Sequence, residues 1–193
     1  MPASFGLGGY VGEEVRCERP VRTIAVSKRR IALLGIVAAV LSVVAILIFA
    51  YRTPAAPAVI FTTIGGERVA TADLHGKVVL VNFWATTCVV CMREMPQMVE
   101  TYRAYAPRGF EVIAVAMPYD RPDWVGSYSK SKALPFRVAL DYDAAINSAF
   151  GGVEATPTSF LIDKRGRVVR RIVGEPDFAW LRATIESELA KPG

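Results

Sequence analysis

The chain has 193 residues, 52% of them hydrophobic, and a formal net charge of +5. The charge is uneven: residues 1–30 carry six basic and three acidic side chains, Arg52 adds one, and residues 53–193 carry 16 basic and 15 acidic, a net of +1. A nearly neutral main region offers no basic face for nucleic acid, and no repeat or long low-complexity tract marks a solenoid or a disordered chain.

Residues 1–30 lack apolar periodicity, contain Gly6, Gly8, Gly9, Gly12 and Pro20, and end in Lys28-Arg29-Arg30. They read as a cytoplasmic tail. Ile31 to Ala50 is an uncharged run of 20 residues, the length of a transmembrane helix. With the basic cluster on its N-terminal side, the positive-inside rule sends residue 51 onward out of the cytoplasm, as in a single-pass protein of a bacterial inner membrane with its domain in the periplasm. A cleaved signal peptide is the competing reading, but its apolar core would be shorter, about 7–15 residues. Residues 51–57, with Pro54 and Pro57, read as a short stiff linker, and 58–193 as the folded domain.

Within that domain, Val59–Thr63 reads as a strand, Gly65-Gly66 as a turn, and the β-branched run Val78–Phe83 as a buried strand. A helix follows from Cys88 to about Tyr105, stopped by Gly109. Phe110–Met117 is a second buried strand, Asp120–Ala133 a helix, Phe136–Asp141 a short strand and Ala144–Phe150 a short helix. Thr158–Ile162 and Val168–Val173 form a hairpin, and Asp177–Leu189 a closing amphipathic helix. Alternating β and α units capped by a hairpin and a helix predict an α/β fold with a mixed central sheet.

The chemistry concentrates at Trp84-Ala85-Thr86-Thr87-Cys88-Val89-Val90-Cys91. A cysteine at a strand-to-helix junction sits where orphan N–H groups and the helix dipole favour thiolate over thiol. A second cysteine one turn later can resolve a mixed disulfide, so the pair can move two electrons. Zinc would need about four ligands, and the domain adds only His75, because Cys17 is predicted across the membrane. A purely structural disulfide closing so short a loop would remove little entropy from the unfolded chain. Met92, Met95 and Met98 read as packing residues.

These residues resemble the thioredoxin superfamily. Val81-Asn82-Phe83-Trp84-Ala85-Thr86 before Cys-x-x-Cys is similar to its active-site strand, and Cys88-x-x-Cys91-x-x-Glu94-x-Pro96 is similar to the membrane-anchored TlpA/ResA-type branch. A distant second match is Gly152-Val153-Glu154-Ala155-Thr156-Pro157-Thr158-Ser159-Phe160-Leu161-Ile162-Asp163. The resemblance implies a thioredoxin-like fold behind one transmembrane helix, a cis Thr156-Pro157 bond facing the sulfurs, and catalysis by Cys88 and Cys91 with no cofactor and no metal. Trp84, Thr87, Thr156 and Pro157 would support the site or bind substrate. It further implies protein disulfide substrates, some of them in cytochrome c maturation, and a thiol-type electron donor in the membrane.

Departures narrow the mechanism. Asn82 stands where thioredoxin has a buried aspartate, and an amide cannot take a proton. Asp120, Glu154 and Glu94 are the candidate acids. Thr87 replaces a common aromatic, and Val89-Val90 adds no charge to steady the thiolate. Two rival functions are a peroxiredoxin-like thiol peroxidase, which would want threonine where Ala85 stands, and a copper-binding chaperone gripping Cu(I) between two thiolates.

Overall fold

The computed structural model describes residues 28–50 and 53–193, with side chains also omitted at 28, 30–32 and 47–50. Most of the expected cytoplasmic tail, Cys17 included, and the first linker residues lie outside the described residues. The described residues fall into two units, a helix and a domain.

The helix, α1, runs Lys28–Ala50. Its side chains at 33–46 are exposed, and Ser42 turns its hydroxyl back to the Ala38 carbonyl. Among the described residues no helix is long and apolar enough to cross a membrane.

The domain is built on five strands in the order β5-β4-β3-β6-β7: β3 Val78–Trp84, β4 Phe110–Ala116, β5 Arg137–Leu140, β6 Thr158–Ile162 and β7 Val168–Val173. β3, β4 and β5 are parallel, while β6 and β7 run antiparallel to their neighbours. The sheet is therefore mixed, as the pattern predicts. A small antiparallel pair stands apart, β1 Ile60–Thr62 and β2 Arg68–Ala70. β2 does not emerge from the periodicity, because three residues are too few to show alternation.

β3 is buried along its whole length, and the pleat splits its side chains between two cores. Val78, Leu80 and Trp84 pack with Cys91, Met95 and Met98 of helix α2 (Val89–Tyr105) and with Phe178, Leu181 and Ile185 of α5 (Phe178–Ala190). Val79, Val81 and Phe83 pack on the other face with Phe61, Ile113, Phe150 and Phe160. Asn82 shares its parity with Leu80 and Trp84, so the strand sends this one polar side chain toward the α2 face.

Helix ends follow local chemistry. The helix expected over Asp120–Ala133 spans Pro122–Ser131 (α3): proline takes the first turn, where its missing N–H is no loss, and Ala133 adopts a positive φ of 45° just past the end. A five-residue helix, α4, spans Ala145–Ala149. Asp177 caps α5 by accepting from Ala179 and Trp180 N–H. The segment read as linker is partly tied down: Ala56 N–H donates to the Gly166 carbonyl, and Val168 N–H to that of Pro54. An extended, proline-bearing strip with free backbone groups meets the hairpin end and satisfies them there.

Candidate active site

The parallel strand β3 ends at Trp84 and the chain turns into α2. Cys88 is the N-cap of that helix, extended at φ −87°, and its sulfur accepts the Cys91 N–H at 3.1 Å. This donor, together with the unsatisfied first-turn amides, is what stabilises negative charge on Cys88 sulfur once the pair is reduced. Cys88 is half-buried, Cys91 fully buried, and the two are joined as a disulfide with Cα atoms 5.2 Å apart. The exposure difference assigns an accessible sulfur and a shielded one.

The loop before β6 closes over this pair. The Thr156-Pro157 bond is cis, and the Thr156 carbonyl lies 3.4 Å from Cys88 Sγ. The Thr158 hydroxyl donates to the Ala155 carbonyl, and Gly174 N–H to that of Pro157, which fixes the loop from both sides. Thr156 and Pro157 are thus brought to the sulfurs as the sequence implies. Thr87 is exposed beside Cys88, and Val89 is 79% exposed. Trp84 has no exposure and packs against Tyr128 with ring centroids 5.5 Å apart, so it supports the site from beneath and offers no surface to a substrate.

The three candidate acids separate sharply. Asp120 clasps the catalytic loop: Thr86 N–H and Thr86 Oγ1 each donate to its carboxylate at 2.6 Å, and Arg121 N–H adds a third bond. With its oxygens occupied by these donors, it is a brace. Glu154 is exposed on the loop before Pro157. Glu94 has no exposure and sits three residues after Cys91, on the same face of α2. Burial is the main reason its carboxyl is pushed up to about 7, with Glu175 adding to the rise; a hydrogen bond from Asn82 and the charge of Arg93 oppose it.

Asn82 Nδ2 donates to Glu94 Oε1 at 3.1 Å and to Ser159 Oγ at 2.9 Å, all three side chains being fully buried. The sequence does not show that Asn82 holds Glu94, nor that Ser159 joins them, because that contact spans 77 residues. Arg93 pairs with Glu175 on the loop between β7 and α5 through Nε at 3.0 Å and a second contact from Nη2. Among the described residues no group of three or more His, Cys, Asp or Glu could hold a metal ion.

A buried-and-accessible cysteine pair at a helix start, faced by a cis-proline loop across a mixed sheet, can be compared with known proteins. The Redoxin family model matches residues 53–185. The chain belongs to the Redoxin family. It is 42% identical over 121 residues to the thiol-disulfide oxidoreductase ResA of Bacillus thuringiensis, covering 62% of this chain and 68% of that one. It is 35% identical over 119 residues to ResA of Bacillus subtilis, covering 62% and 65%. Among solved structures it is similar to a thioredoxin-family thiol:disulfide interchange protein of Chlorobium tepidum, at 32% identity and a TM-score of 0.66 over 72% of this chain and 98% of that one. StoA of Bacillus subtilis aligns at 25% identity and a TM-score of 0.58 over 67% and 98%. This redoxin is a TlpA/ResA-like member of the thioredoxin superfamily and a thiol–disulfide oxidoreductase, acting on protein thiols and disulfides through its Cys-x-x-Cys pair.

Proposed function

We propose that this redoxin is a membrane-anchored, extracytoplasmic disulfide reductase, in which Cys88 attacks, Cys91 resolves and Glu94 carries the proton. The observation that carries the assignment of roles is the position of Cys88 as N-cap of α2, with Cys91 and Glu94 buried behind it. In the reduced protein Cys88 thiolate attacks a sulfur of the substrate disulfide, and one substrate thiolate leaves. Cys91 then attacks Cys88 sulfur, the mixed disulfide breaks, and the second substrate thiolate leaves; the enzyme ends oxidised and the substrate doubly reduced. Cys91 has to lose its proton for this step, and a buried carboxyl held near neutral pH is suited to accept it. An extended substrate segment would pair with backbone around Thr156, beside Cys88.

The anchor rests on the uncharged run from Ile31 to Ala50 and its basic N-terminal flank. Disulfide-bonded substrates outside the cytoplasm fit that placement, cytochrome c maturation among their uses, with a thiol-type membrane donor returning the electrons. Insulin reduction tests the chemistry: Cys88→Ser should fall to background, and Cys91→Ser should accumulate mixed disulfides. Full activity in both variants would end the reading. Protease accessibility in spheroplasts tests the topology, and a cysteine pair found oxidised in growing cells would reverse the direction to oxidase.

A further inference from the structure

We infer that Asn82, anchored by Ser159, is a positioning residue that directs the catalytic proton to one particular oxygen of Glu94, Oε2. The inference rests on the proposed role of Glu94 and goes on to ask how that carboxyl is held.

The geometry is asymmetric. Both hydrogens of the Asn82 amide are committed, one to Glu94 Oε1 and the other to Ser159 Oγ. Oε1 therefore already receives a donor from the amide. Glu94 Oε2 is buried and has no hydrogen-bond partner, and Asn82 Oδ1 is in the same condition. A buried oxygen with no donor is costliest while the carboxylate is ionised, and a proton on Oε2 removes the charge from the oxygen that lacks one. The amide is itself fixed from outside the helix. Asn82 and Ser159 are direct partners in the antiparallel β3–β6 register, and Ser159 follows Pro157 by two residues. Ser159, the anchor of that amide, is thus built into the strand that follows the cis-proline loop.

The charged and titratable groups around Glu94 are few. Cys91 and Arg93 come from its own helix, and Glu175 comes from the β7–α5 loop, where Arg93 pairs with it. β3 and β6 contribute the uncharged Asn82 and Ser159. The Asn82 hydrogen bond opposes the upward effect of burial, so removing it leaves burial and Glu175 less opposed.

The test isolates the step in which Cys91 acts. The reduced full chain in detergent micelles is mixed with dithiobis-nitrobenzoate, and the second nitrothiobenzoate released reports Cys91 attack on the Cys88 mixed disulfide. Rates are followed from about pH 5 to 9, a window bracketing the raised Glu94 value. In the parent, a limb near pH 7 should disappear in Glu94→Gln. In Asn82→Ala the limb should move up by about one pH unit, with the plateau falling severalfold. Ser159→Ala should move it the same way by less, and Ser159→Thr, which keeps a hydroxyl, should restore it. Melting curves for all variants control for folding, and Ser159→Ala keeps the question answerable if Asn82→Ala does not fold. A limb that vanishes in Glu94→Gln but stays put in both Asn82→Ala and Ser159→Ala overturns the positioning role alone. A limb that survives Glu94→Gln overturns the assignment of Glu94 beneath it.

Discussion

Two of the domain's buried glutamates, Glu111 on β4 and Glu94 on α2, are treated in opposite ways. Glu111, near the start of β4, is 6% exposed and meets two cations: Arg137 Nη1 at 2.7 Å and Lys77 Nζ at 3.5 Å. Arg137 in turn holds Glu67. Glu94, at the other end of the parallel strands, has no exposure, no cation bonded to it, and one amide donor. A carboxylate buried against cations is ion-paired and serves the fold. A carboxyl buried with only an amide is pushed toward neutrality, and its proton becomes available to chemistry. The same side chain is ion-paired at one end of the sheet and left with a single amide donor at the other, and the difference lies in its partners.

The largest effect separating the two should come from Glu94→Gln. The native state holds the Glu94 proton more tightly than the unfolded chain, so its contribution to stability is complete below pH 4.5 and is lost as pH rises through about 7. That shift corresponds to at most about 3 kcal/mol. Glu94→Gln should therefore match the parent in urea melts at pH 4 and exceed it at pH 8, while disulfide reduction drops. Equal stability gaps at both pH values would break the comparison.

Glu111→Gln should do the reverse. Removing the carboxylate leaves Arg137 and Lys77 facing a neutral amide, and because Arg137 keeps Glu67 the cost should be about 2 kcal/mol in the same melts at pH 7. Insulin reduction per folded molecule should not change. Asp120→Ala lies between the two: two hydrogen bonds from the catalytic loop and one from Arg121 N–H go, costing about 1–2 kcal/mol, and kcat/KM should fall severalfold through loosened placement of Cys88. Arg93→Ala should be smallest. Arg93 is exposed, so stability should move by less than about 0.5 kcal/mol, yet the Glu94 titration followed by NMR should rise, since the cation that lowered it is gone.

Much of the site was legible because its signals are local. Cys88 and Cys91 lie one turn apart at a strand-to-helix junction, and the motif containing Glu94 and the Thr156-Pro157 pair lie in contiguous stretches. The start of the closing helix was legible because Asp177 caps it, whereas the helix read from Asp120 begins two residues later, at Pro122. β2 was not, for want of length. Nor was the sorting of the acids: Asp120, Glu154 and Glu94 are the same chemistry on paper, and only burial and partners make one a brace, one a surface side chain and one a buried acid with a raised pKa.

The sequence by itself determined the mixed α/β order of elements, the redox pair and the uncharged run at 31–50, because each depends on spacing within a few residues to a few turns. Tertiary structure alone decided that Trp84 lies beneath the site, and that Asn82 reaches Glu94 on one side and Ser159 on the other. Those contacts join β3 to α2 and β6 across gaps of 12 and 77 residues. Hydrogen bonding and desolvation act through space, and no periodicity along a chain records which distant strand will arrive beside it.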